Sequence, residues 1–410
     1  MNLEYLASFG DHVPLSQFKQ DDTISILSFS KNGQFLASGD QAGRVVVFQV
    51  NTSPNGAAKP SVSFVVQVHA HKSSFDYFRS ELSDPKINGL KWVNTETINP
   101  LLLTCNSHDA KLWRFVQNTR HAYNPLDLSK PLDDFVFPQT RQVDVKYTFE
   151  NVKTYTDIQT EYLVDLLALS DQRSFLLVDI GCVKLWDMER DIPSVNLYKV
   201  PNNNVEIVSS AVTDTMPTAV LIGDDSGSAS IIDMRQQSED LTTSIFFDVK
   251  NYLSSQRRLP SSTTVSSVAF SQDGMNLVVR TFGDAQVWDI RQPSAPLSTC
   301  EIQWFPGQMD TIINEEFIKD QFRTSFTSSG KVVTGNYSAD FMSWDWNTGL
   351  TRKHRAISAR TPRAPPEAGR DFTKRVTVCE SHPKQDIVAV VSTASLFLFN
   401  GKKEPTNTKQ

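Results

Sequence analysis

The stretch ISILSFSKNGQFLASGDQAGRVVVFQV, residues 24–50, holds three short apolar runs separated by two turns. Asn32-Gly33, between the first two runs, is a hairpin signal between β-rich segments. Gly39-Asp40-Gln41-Ala42-Gly43 forms the second turn. The stretch therefore reads as three consecutive antiparallel strands.

The same form recurs six more times, at residues 87–115, 162–188, 207–234, 265–290, 322–346 and 376–400. Each third run ends on a bulky residue: Phe48, Trp113, Trp186, Ile232, Trp288, Trp344 and Phe399. An Asp follows four of them, Asp187, Asp233, Asp289 and Asp345. Trp-Asp closing a strand marks the repeat of WD propellers. One such blade has two apolar faces and cannot bury both alone, so the blades must stack into a ring. The expected fold is all-β: a single seven-bladed WD-repeat propeller spanning residues 1–410.

Successive anchors are 65, 73, 46, 56, 56 and 55 residues apart. Most exceed the roughly 40–45 residues of a minimal repeat. The surplus lies between one blade's third strand and the next blade's first, and it is largest on either side of blade two. Residues 116–160 are expected to form an inserted arm between blades two and three. Blade seven has only three strands before the polar tail, so the run at residues 3–10 is expected to supply its fourth.

The net charge of −6 argues against a nucleic-acid partner. No apolar run reaches the ~18 residues of a spanning helix, and no membrane partner is expected. The opening MNLEYLASFG has neither a basic n-region nor a long apolar core, so it is not a signal peptide. The chain is expected in the cytoplasm, with the nucleus as a second compartment. Cys105, Cys182, Cys300 and Cys379 are far apart and lie in or beside apolar stretches, as buried free thiols do.

No phosphate-binding GxxxxGK loop, HExxH, GxSxG or Cys/His cluster occurs. Neither catalysis nor a cofactor is expected. His69 and His71 lie in a polar connection and read as exposed loop residues. The segment 351–375 carries eight Lys/Arg, two acids and three prolines, and reads as a basic disordered loop. It suits either a solvated linker or a contact for an acidic or phosphorylated partner.

FDYFRSELSDPKIN (75–88) leads into the second repeat with three aromatic residues in its first four positions. Its Phe-Asp-Tyr-x-basic-Ser, five residues, then Lys-Ile-Asn resembles a signature of the fifty-five-kilodalton regulatory B subunits of protein phosphatase 2A. The residues that carry it are Phe75, Asp76, Tyr77, Ser80, Lys86, Ile87 and Asn88. SGDQAGRVVVFQ (38–49), KLWRF, KLWDM, Asp233-Met234-Arg235, QVWDI, VVTGNY (332–337) and HPKQDIVAVVSTASLFLFN also fall in the family's order. The resemblance covers nearly the whole chain.

That resemblance implies a non-catalytic subunit that joins a HEAT-repeat scaffold subunit and a catalytic subunit and recruits phosphoprotein substrates. It implies that the insert projects a β-hairpin onto the scaffold, with Phe135, Phe137, Val143, Val145, Tyr147 and Phe149 in its two β-rich runs. It also implies substrate docking on the face that carries the second-to-third strand turns. Those turns hold Asp40, Gln41, His108, Asp109, Asp179, Ile180, Asp224, Asp225, Asp284 and Tyr337. Their acids are expected to make the face negative, or else to cap the turns locally. The family carries Lys where Gln41 stands and Asp-Asp-Leu where Asp179-Ile180-Gly181 stands, so altered substrate binding is expected. A propeller adaptor without a phosphatase is the alternative, and an enzyme the remote third.

Overall fold

The computed structural model describes residues 2–10, 19–52, 59–76, 80–123, 140–157, 159–193, 195–202, 204–235, 245–253, 263–303, 305–314, 320–337, 339–356 and 375–402. Seven four-stranded antiparallel sheets form a ring, each entered along its innermost strand. The first is Ile24–Phe29, Phe35–Asp40, Arg44–Asn51 and Ser61–His69. The last takes Val376–Ser381, Ile387–Ser392 and Ser395–Lys402 from the chain's end. Its outer strand, Asn2–Phe9, comes from the chain's start and pairs from Asn2↔Lys402 to Phe9↔Leu396.

The binary pattern explains the stacking. In a strand, alternate residues point to opposite faces. In blade three, Phe175 and Leu177 join the core shared with blade two, while Leu176 and Val178 join the core shared with blade four. Blade five divides Leu277 and Val279 from Val278 in the same way. Seven apolar cores thus lie between seven pairs of neighbouring sheets, including the closing pair, seven and one. All seven bulky anchors, from Phe48 to Phe399, face the preceding blade.

Where blades come closest, side chains are excluded. A Cβ on Gly335 would strike the Val376 carbonyl of the next blade, and one on Gly39 would lie 2.7 Å from Ile87 Cβ. The central channel is polar. Lys91, Asp165, Ser210 and Glu380 from the inner strands, and Arg323 from just before the inner strand of blade six, line it. At one mouth, contacts reach across the ring: Lys31 Nζ pairs with Asp214 at 2.8 Å, and Gln272 donates to the Pro383 carbonyl at 3.0 Å.

Two expected boundaries are corrected. The insert after Trp113 is not separate from blade two: Asp109–Tyr123 and Thr140–Thr156 are that blade's own outer strands, extended far beyond the sheet. Their pairing runs from Asp109↔Thr156 to Tyr123↔Thr140, whereas the second strand ends against Arg114. The basic segment also begins as a strand. Leu350–Arg355 is the outer strand of blade six, and all six residues pair with Asp340–Asp345. Residues 357–374 of that segment lie outside the described residues.

Candidate functional site

Six of the seven second-to-third strand turns are tied by a backbone hydrogen bond to the start of the next blade's inner strand. Ile87 N–H donates to the Asp40 carbonyl (3.1 Å), Leu163 to Ser107 (2.8 Å), Ile207 to Ile180 (2.8 Å) and Val265 to Asp224 (2.9 Å). Val376 donates to Asn336 (2.9 Å), and Ile24 closes the circle on Thr393 (3.0 Å). This repeated bond gathers the turns on one face. The junction of blades five and six instead holds an extra apolar cluster of Phe282, Phe305, Met309, Ile312, Phe322 and Tyr337.

The face therefore carries the ten expected docking residues, but it does not present them alike. Asp179 is 2% exposed. Its carboxylate accepts the Glu161 and Tyr162 N–H groups at 2.7 and 2.9 Å. Asp40 is buried and held by Arg44, whose Nε lies 2.6 Å away and whose other arm reaches Asp22. Asp284 and Tyr337 are also buried. The Tyr337 hydroxyl donates to Asp320 Oδ2 at 2.7 Å, and Arg375 approaches the same oxygen at 3.2 Å. These four side chains are buried and build the face from within. Of them, Asp40 caps its own turn by accepting the Arg44 N–H at 2.8 Å.

Gln41, His108, Asp109, Ile180, Asp224 and Asp225 remain half-buried at the surface. Asp224 accepts from Ser226 and the Ser228 N–H. Asp225 accepts the Glu206 N–H at 3.0 Å. At the centre of the face, Lys86, Asn88, Tyr162, Ile180, Glu206 and Gln321 surround an opening of about 360 Å³. Burial lowers the Lys86 ammonium, and Arg323 adds to the effect against Asp84 and Asp320. Opposite charges thus flank the mouth.

His71 was expected to be exposed and is fully buried, whereas His69 is exposed. His71 Nδ1 is 2.7 Å from Asp109 Oδ1, and its Nε2 is 2.9 Å from Thr104 Oγ1, which accepts the Trp113 indole N–H at 3.1 Å. Burial would push the Asp109 carboxyl up, but the hydrogen bond and charge of His71, with Lys111, hold it below the usual carboxylate range. The four residues lock the entry to blade two against its third strand. His69 and His71 both precede Trp113, so the repeat pattern alone does not single out His71. The indoles of Trp186 and Trp288 are buried with no such acceptor.

The aromatic entry segment forms a small hairpin, in which Phe75↔Leu82 and Asp76↔Glu81 pair. Phe75 is 48% exposed, Ser80 has a φ of 56°, and Ile87 and Asn88 are buried. Asn88 donates to the Leu163 carbonyl at 2.7 Å. Tyr77 lies outside the described residues.

At the root of the long hairpin, Tyr147 stacks on Phe115 (4.9 Å, 5°), and Phe149 and Phe35 pack on the same ring. Tyr147 and Phe149 therefore secure the hairpin to blades one and two, and Val145 is half-buried beyond them. The side chain of Val143 is outside the described residues, as are Phe135 and Phe137. All four cysteines are free; Cys105, Cys300 and Cys379 are buried and Cys182 is half-buried. No helix among the described residues is long and apolar enough to cross a membrane.

No family model matches the sequence. Individual relatives do, along nearly its whole length. The protein phosphatase PP2A regulatory B subunit of Candida tropicalis is 26% identical over 88% of this chain and 74% of its own. The gamma isoform of the mouse serine/threonine-protein phosphatase 2A 55 kDa regulatory B subunit is 24% identical, covering 94% of this chain and 95% of its own. The PP2A regulatory B subunit of Schizosaccharomyces pombe is 22% identical over 97% of both. The chain is thus similar to the 55 kDa regulatory subunits as a divergent relative. Among solved structures, the β-propeller domain of Myceliophteria thermophila Cps50 (Swd1) superposes with a TM-score of 0.59 at 13% identity, covering 98% of this chain and all of that one. That likeness shows the seven-bladed fold.

Proposed function

We propose that this propeller is a non-catalytic regulatory subunit of a cytoplasmic protein phosphatase 2A holoenzyme. It joins a HEAT-repeat scaffold subunit and a catalytic subunit and recruits phosphoprotein substrates. The observation that carries the proposal is end-to-end similarity to the 55 kDa regulatory subunits, which spans all seven blades and the long hairpin. Among the described residues, the hairpin beyond Phe115 and Phe149 has no third strand paired beside it. A projecting two-stranded ribbon with half-buried apolar side chains is stable when a partner covers it. In this reading the scaffold is that partner. Substrates dock at the opposite-charge mouth around Lys86 and Glu206, where tethering raises their concentration beside the catalytic subunit to about mM for short tethers.

The deciding experiment is affinity purification from the source cells with mass spectrometry. Scaffold and catalytic phosphatase chains should co-purify in comparable amounts. Their absence would leave the propeller as an adaptor with other partners. Within the docking reading, Asp225→Lys should slow dephosphorylation of basic-flanked substrates at low salt, leaving assembly unchanged. The effect should fade as salt rises, because surface attraction is screened within a Debye length of about 10 Å at 0.1 M. Unchanged rates at low salt would remove Asp225 from the docking site.

A further inference from the structure

The outer strands of the seven blades differ in charge. Leu350–Arg355 of blade six carries Arg352, Lys353 and Arg355 and no acid. None of the other six, including Ser61–His69, Val195–Lys199, Ile245–Asp248, Ser298–Glu301 and Asn2–Phe9, carries more than one Lys or Arg without an acid. The blade-six strand is firmly placed. His354 stacks on Phe341 at 5.1 Å, with its Nε2 2.9 Å from Ser343 Oγ, and this fixes which face each neighbour takes. Arg352 shares the His354 face, and Lys353 and Arg355 take the other. All three cations are exposed. Of the two acids on the adjoining strand, Asp345 lies 3.3 Å from Lys331, and Asp340 stands opposite Arg355 and feels the charge of both Arg355 and Lys353.

We propose that this edge docks an acidic, extended segment of a partner protein, which adds as a fifth strand beside Leu350–Arg355. An outermost strand has one row of backbone donors and acceptors open to a further strand. Residues two apart lie about 6.8 Å apart on one face, so acids at alternate positions of an added strand would meet Lys353 and Arg355 together. A charged edge also deters edge-to-edge aggregation. That role is met on other edges by short strands, such as Ile245–Asp248 and Ser298–Glu301, and does not call for three cations on one strand. Here one sign is concentrated on one edge of a chain with net charge −6. A polypeptide is the occupant, because a nucleic acid or lipid offers no backbone ladder to match the edge. The inference is independent of phosphatase association.

The test is fluorescence anisotropy of the intact chain with a short labelled peptide alternating Glu and Thr. Wild type should bind it, more weakly as salt rises. The variant Arg352→Glu/Lys353→Glu/Arg355→Glu should lose about tenfold or more in affinity, ~1.4 kcal/mol, and should gain binding to the matching Lys-Thr peptide. If that variant unfolds by circular dichroism, the Gln triple variant at the same positions should still show the loss. A Glu-Thr peptide N-methylated at alternate residues should bind poorly, because its ladder is blocked. Replacing residues 357–374 with a Gly/Ser linker should leave binding intact. The proposal is overturned if no binding occurs, if the methylated peptide binds equally, or if the linker variant loses binding. It is also overturned if single-stranded DNA or phosphatidylserine vesicles bind this edge as well as the peptide does.

Discussion

Two buried polar arrangements decide more of the stability than their size suggests. His71, Thr104 and Trp113 form a buried chain of hydrogen bonds that ends on the half-buried Asp109. Removing one member leaves another buried and unsatisfied, at about 1–3 kcal/mol. Asp109→Asn and His71→Ala should each lower the melting temperature by several degrees, measured by calorimetry. The pH dependence follows from the depressed Asp109 carboxyl. Its contribution is complete above the ordinary Asp pKa of about 3.9 and is lost as pH falls through the lower folded value. The gap between wild type and Asp109→Asn should therefore narrow below about pH 4. Lys184 and Asp157 form the second arrangement, 2.6 Å apart with side chains 5% and 14% exposed. Burial would raise the Asp157 carboxyl, but its hydrogen bond to Lys184 lowers it. Lys184→Ala should cost about 1–3 kcal/mol by leaving the half-buried carboxylate without its partner, read from denaturant midpoints. Sequence showed none of these pairings, because most of them join residues 27 to 38 positions apart. His71 looked like one of two loop histidines, and only the path of the chain separates it from His69.

Inner and second strands were legible in the sequence because both of their faces are buried and both must be apolar. Runs such as FLLV and NLVV leave little choice of period or state. Outer strands were less legible. Leu350–Arg355 has five exposed residues of six and is held by its backbone ladder to Asp340–Asp345, so its composition matched a basic loop. The long hairpin was legible as surplus length and as two β-rich runs, but its register was not. Tyr147 and Phe149, which suited an exposed arm, instead pack under Phe35 and Phe115. That placement sets the design of a clean deletion. Joining Asn118 directly to Lys146, register partners, by a short Gly-containing turn keeps the aromatic root and removes the ribbon beyond it. The melting temperature should stay within about a degree of wild type, and the scaffold should no longer co-purify. Retained scaffold would move its binding site off the hairpin, and a large drop in melting temperature would show the ribbon to be part of the fold.

At the scale of the whole molecule, the ring was implied by seven repeats that each have two apolar faces, and its closure by the missing strand of blade seven. The docking face was less accessible to sequence. Asp recurs at the turns, and the backbone donors around it absorb Asp179 as they do not absorb Asp225. Deleting Asn2–Phe9 would uncover Phe397 and Phe399, which are 3% and 5% exposed, and would remove Leu3 from the core between blades six and seven. At about 1.5–3 kcal/mol for each large apolar side chain, the melting temperature should fall markedly; an unchanged value would mean that blade seven is stable with three strands. This closing strand also has a temporal meaning. It is made nearly 400 residues before its partner at Leu396–Lys402. At about 5–20 residues per second, Leu3, Tyr5 and Phe9 wait on the order of 20–80 s for the strand they pair with. For that interval a growing chain carries an unpaired apolar strand, a ready substrate for a chaperone that binds extended segments.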